Sequence, residues 1–107
     1  MRLTRALTGF AAAVAVMAAS VAAYAGTVVS QKFASPTLGR DWVYNVYLPD
    51  GYDTGKLRYP VMYLLHGNGG DENEWVAKGE AQKTDDRLIA DGLMPPAVIV
   101  LPSATTT

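Results

Sequence analysis

Two apolar runs without alternation constrain this chain more than any other feature: Pro60-Val61-Met62-Tyr63-Leu64-Leu65 and Ala97-Val98-Ile99-Val100-Leu101. A strand with one wet face alternates apolar and polar residues, so a short run that is apolar throughout suits a strand covered on both faces. Between the runs lie a Gly-rich loop and a segment whose pattern predicts a helix over 79–91. Gly92 is placed to cap that helix, and Pro95-Pro96 prevents its continuation. Strand, helix and strand of these lengths predict a βαβ unit with parallel strands and a right-handed crossover.

Upstream the pattern changes. Residues 27–33 are β-rich in Val28 and Val29. Residues 42–48 alternate, with Tyr44, Val46 and Leu48 on one side and Val43, Asn45 and Tyr47 on the other. The stretch 35–41, with Pro36 and Gly39, reads as a turn, so the two strands are expected to pair antiparallel. Pro49-Asp50-Gly51-Tyr52 ends the second strand, and the polar run to Arg58 is a loop. The fold class expected is α/β, an antiparallel strand pair leading into βαβ.

The first residues follow a different grammar. Arg2 and Arg5 precede an apolar, Ala-rich stretch over 6–19, and Ala23-Tyr24-Ala25 places small residues where a leader peptidase reads them. Positive end, apolar stretch and A-x-A site predict an export signal over 1–25, hence a periplasmic or extracellular protein. The competing reading is an uncleaved membrane anchor, since no charge lies between Arg5 and Lys32. Cleavage after Ala25 would leave residues 26–107 with seven basic and ten acidic side chains, a charge of −3, and no stable membrane anchor. That balance argues against a nucleic-acid partner, which needs a basic patch. With no Cys and His66 as the single histidine, neither a disulfide nor a structural zinc site is expected.

Two strands covered on both faces need helices above and below the sheet, and this chain offers one good helix and a short turn around Trp75. The strand over 97–101 is expected to keep an unpaired or uncovered side, with a polar tail after Pro102-Ser103. On that ground the sequence reads as truncated, or dependent on a further segment.

The motif that carries chemistry is Leu64-Leu65-His66-Gly67-Asn68-Gly69-Gly70, directly after the first apolar run. Glycines at a strand end let backbone N–H groups approach a ligand closely. Acyl transfer needs such donors aimed at the oxygen that becomes negative. H-G-x-G-G matches the first half of an esterase oxyanion hole. The same glycines also suit an ordinary strand-to-helix turn or a phosphate cradle. In the Asp71-Glu72-Asn73-Glu74 run that follows, Asp71 and Glu74 have the spacing of a capping box, a reading preferred to a metal site.

Tyr59 to Gly67, then Trp75, Gly79, Leu88-Ile89-Ala90-Asp91-Gly92, Pro96 and Val98 to Pro102, together resemble the putative-esterase family of the α/β-hydrolase fold. Upstream, Tyr44-Asn45-Val46-Tyr47-Leu48-Pro49-Asp50-Gly51-Tyr52 resembles the family's strand and following turn. The family holds feruloyl and acetyl-xylan esterases, esterase D, enterobactin-type esterases and mycolyltransferases. The resemblance covers most of residues 35–103 and implies the N-terminal portion of an α/β-hydrolase domain over 26–107. It further implies that the Asn68 backbone N–H serves the oxyanion hole and that Gly67 and Gly69 shape the loop. His66 takes a local hydrogen-bonding position and not the general base. Trp75 corresponds to a Trp near the cleft, placed for core burial or for substrate contact.

One departure stands out. No G-x-S-x-G occurs, the serines available are Ser20, Ser30, Ser35 and Ser103, and no second His could activate one. Nucleophile, acid and base are therefore absent from this chain. The reading is an exported serine esterase acting on a small-molecule or carbohydrate-linked ester through an acyl-enzyme, without cofactor or metal. A non-catalytic binding module and an acyltransferase of the same fold are the alternatives.

Overall fold

The computed structural model describes residues 24–105. The expected export signal lies outside them except for Tyr24 and Ala25. Strands β1 (Thr27–Ser35) and β2 (Arg40–Leu48) form the expected antiparallel pair, in register from Thr27 opposite Leu48 to Ser35 opposite Arg40. The turn is tighter than the sequence suggested. Gly39 closes it by donating its N–H to Ser35 O at 2.9 Å, so both strands run to its edge.

Strand β3 (Val61–Tyr63) is followed by helices α1 (Glu74–Ala77) and α2 (Ala81–Ala90), then strand β4 (Val98–Pro102). β3 and β4 pair in parallel, as a βαβ unit requires. The helix stops where Gly92 was expected to stop it. At φ +71° its N–H reaches Ile89 O at 3.1 Å, and Leu93 N–H reaches Leu88 O at 2.9 Å, a Schellman closure.

The sheet order is β1-β2-β4-β3. β4 inserts between β2 and β3, antiparallel to the first, with Tyr47 opposite Ile99 and Asn45 opposite Leu101. Of the unpaired or uncovered side expected for the strand over 97–101, the unpaired edge is corrected, since β4 pairs on both edges, while the face away from the described helices agrees with the uncovered side. Ile99 and Leu101 are buried, and β3 is the edge instead, with Val61, Met62 and Tyr63 exposed. The alternation of burial along β4 has a simple cause. Tyr47, Ile99 and Leu101 form the core with Ile89 of α2, joined by Val76 of α1, so the described helices cover one face of the sheet. Coverage of both faces, expected from the apolar runs, is not present among the described residues.

The polar tail expected after Pro102 does leave the strand there, and it packs back on the sheet. Ser103 is buried, its N–H donates to Val43 O at 3.0 Å, and Arg40 Nη2 holds Thr105 O at 2.8 Å. The chain after β4 thus continues as an ordered strap held on β2.

On α2, burial and then the adjacent Asp86 carboxylate push Asp85 up to about 6. An acid whose folded pKa lies above its unfolded value favours the fold while protonated. That contribution is lost as pH rises from the unfolded value through about 6. Asp85→Asn is therefore expected to raise Tm near pH 8 and to leave it unchanged near pH 4. Equal shifts at both pH values would show that the carboxylate's charge is not the cause.

Candidate active site

β3 and β4 are parallel, so their carboxyl ends lie side by side, the end of an open sheet where α/β proteins bind ligands. Leu64 N–H extends the pairing past Tyr63 by donating to Val100 O at 2.9 Å. The chain then leaves the sheet as the loop over 66–70. This loop, with Ala104 and Thr105 from the strap after β4, lines a concavity of about 490 Å³.

Three contacts fix the loop. The His66 ring bridges it to the strap, because Ala104 N–H donates to His66 Nε2 at 2.8 Å. A backbone N–H can only donate, so Nε2 is the acceptor and the proton sits on Nδ1. Nδ1 faces Gly67 O at 2.7 Å and donates to it. Glu74 then reaches back from α1, and its Oε2 accepts the Gly67 N–H at 2.7 Å. Gly70 N–H closes the turn on Gly67 O at 3.0 Å.

The Glu74 contact corrects the capping-box reading. Asp71 Oδ1 accepts the Asn73 N–H at 2.8 Å, and α1 begins only at Glu74, behind Asn73. With the helix starting two residues later than a box requires, the Glu74 carboxylate is free to enter the loop. Gly70 leaves it the room, for a Cβ there would stand 2.7 Å from Glu74 Cδ.

Asn68 sits at the tip of this braced loop. Among the described residues its N–H has no protein acceptor, nor does that of Gly69. Gly69 takes φ +79°, a conformation that a residue with a Cβ adopts only under strain, and so turns the chain sharply past Asn68. Gly67, Asn68 and Gly69 are therefore brought together at the concavity. Trp75 is not. Its indole Nε1 donates to Leu65 O at 2.8 Å from outside, pinning the strand end, and its ring stays partly exposed and out of the core.

Two residues position the loop in a way the sequence reading did not give them. Glu74, read there as a helix cap, is one. Asn45, 3% exposed, is the other: its Oδ1 accepts from Ser30 Oγ at 2.8 Å, and its Nδ2 donates to Glu72 O at 2.9 Å and to Asn73 Oδ1 at 2.8 Å. It ties β1 and β2 to the segment entering α1. The available signal was an amide on the same side of an alternating strand as Tyr47, a place where a buried polar group must be satisfied.

The family model described as Putative esterase matches residues 35–105. The chain belongs to this family. A protein of Xylanibacter ruminicola named endo-1,4-beta-xylanase/feruloyl esterase is 42% identical over 82 residues, which are 71% of this chain and 11% of that protein. A solved ferulic acid esterase superposes with TM-score 0.72 at 33% identity, covering 76% of this chain and 31% of its own. A ferulic acid esterase from Anaeromyces mucronatus, solved in complex with ferulic acid, gives TM-score 0.69 at 28% identity over 83% of this chain and 32% of its own. The chain thus spans about a tenth of the xylanase/feruloyl esterase and about a third of the esterase structures. The family's α/β-hydrolase fold agrees with the mixed sheet and few helices described here, which form part of it.

Proposed function

We propose that this chain supplies the first half of the active site of an exported serine esterase, in which the Asn68 backbone N–H is an oxyanion-hole donor. The observation that carries the reading is that N–H, unengaged at the carboxyl ends of two parallel strands in a loop braced by His66 and Glu74. When a serine attacks an ester carbonyl, the oxygen gains negative charge, and a donor already fixed in place stabilises it without reorganising. Gly67 and Gly69 shape the backbone around that donor. Trp75 serves from outside the concavity, with its partly exposed ring as the surface it would offer a substrate. The nucleophile, acid and base belong to residues beyond this sequence, in which His66 is engaged through both ring nitrogens. The mechanism calls for no metal or cofactor. The relatives favour an aromatic ester of the ferulate class, carried on a carbohydrate, as substrate. Residues 1–25 act as the export signal.

Hydrolysis of methyl ferulate and labelling by a serine-directed phosphonate test this together. The 107 residues alone are expected to show background hydrolysis and no label. A product of a longer reading frame that carries G-x-S-x-G and then Asp or Glu and His is expected to show both. Phosphonate-sensitive turnover by the 107 residues would overturn the assignment and implicate Ser30, Ser35 or Ser103. A longer frame without the motif would favour a binding module.

A further inference from the structure

Gly26 is held more closely than a residue at the start of a strand needs to be. It is buried, and its N–H donates to Asp86 Oδ1 at 2.8 Å across 60 residues of sequence. Gln82 Nε2 donates to its carbonyl at 3.0 Å. A Cβ on it would stand 2.6 Å from Cε2, Cζ and Oη of Tyr47, whose hydroxyl donates to the same Asp86 Oδ1 at 2.7 Å. Donor, acceptor and side-chain space are thus all specified at one position. Ala25, one residue earlier, is exposed.

The Ala23-Tyr24-Ala25 site places the scissile bond immediately before that nitrogen. We propose that Gly26 is the N-terminus of the exported protein and that Asp86 is the built partner of its α-ammonium group, a proposal that rests on residues 1–25 being the export signal. A leader peptidase adds water across the Ala25–Gly26 bond, leaving a carboxylate on Ala25 and an amine on Gly26 that takes up a proton. An amide N–H on a carboxylate thereby becomes an ion pair.

Charge supplies the reason. Asp86 is part-buried beside Asp85, and among the described residues no ion pair includes it. Tyr47 satisfies it with a neutral donor only, and burial followed by the Asp86 contact pushes the Tyr47 phenol well above its usual range. The other charged groups near this point, Glu80 at the N-cap and Lys83 and Arg87 of α2, line one concavity together with Asp86 and Tyr24. An ammonium at Gly26 offsets the Asp85–Asp86 repulsion from inside. It also compensates for the departure of Tyr24, which packs against the core and accepts the Asp50 N–H at 2.9 Å. Because Gly26 is buried, cleavage belongs to the unfolded chain during export, and folding then captures the new end.

The test uses the protein exported and processed in a bacterial host. N-terminal sequencing is expected to begin at Gly26. Reductive methylation of its α-amine, followed by mass spectrometry over a pH series, is expected to give an apparent pKa above the ordinary value of about 8. Near neutral pH, labelling should be about tenfold slower than in urea. The sign is decisive, because burial without a counter-charge moves an amine pKa downward, whereas a carboxylate partner moves it upward. Asp86→Asn and Gly26→Ala should both bring the value back to the ordinary range or below, with Gly26→Ala still cleaved because Ala also suits a leader peptidase. A start at Met1 with membrane retention overturns both the export reading and the pairing, and a processed start at any residue other than Gly26 overturns the pairing alone. A start at Gly26 with an ordinary or lowered pKa overturns the pairing alone.

Discussion

Asn68→Pro is expected to lower kcat on the order of 10²–10³-fold in the esterase carrying this segment, while Asn68→Ala changes it little. The role assigned to Asn68 belongs to its backbone, so a side-chain truncation keeps the donor and proline deletes it. Proline also sets its own φ and restricts Gly67 before it, and a displaced loop could imitate the loss. Two measurements separate these causes. Phosphonate acylation reports whether the serine is still reachable, and an unchanged melt reports that the loop's braces to Glu74 and Ala104 survive. Equal kcat values for the two variants would remove Asn68 from the oxyanion hole.

Asn45→Ala is expected to destabilise the protein by about 2–3 kcal/mol, and Asn45→Asp by more. The amide is buried and makes three hydrogen bonds, and truncation leaves Ser30 Oγ, Glu72 O and Asn73 Oδ1 to find other partners. Aspartate is worse for a specific reason. At Nδ2 it puts an acceptor against two acceptors, so repulsion replaces two hydrogen bonds. Protonation restores a donor, so the deficit of the Asp variant should shrink as pH falls. Urea denaturation reads the effect as a lower midpoint at unchanged slope. An Asn45→Asp midpoint equal to wild type would mean that the amide hub is not a structural tie.

The Asn45 hub also marks where sequence reasoning loses its grip. Its strand was legible, because Tyr44, Val46 and Leu48 alternate with Val43, Asn45 and Tyr47. Which side faces the core was not legible, and the side with the amide proved to be the buried one. Similarly, Asp71 and Glu74 stand at capping-box spacing, and only the late start of α1 sends Glu74 to Gly67 instead. The loop glycines were visible as a motif. The His66 tautomer was not, since it depends on Ala104, 38 residues away.

What the sequence determined by itself is local. The strand pair, the cap at Gly92, the Gly-rich turn after the first apolar run and the family resemblance all rest on short stretches and their order. Each follows from preferences that act over a turn or a strand: φ at glycine, blocked N–H at proline, the two-residue period of a pleat. The tertiary structure decided the rest. It inserted β4 between β2 and β3, made β3 the exposed edge, put the described helices on one face, and closed Asp86 on Gly26. These are pairings between distant residues. Their free energy comes from burial and hydrogen bonds that exist only once the intervening chain has closed, and no short stretch of sequence holds both partners.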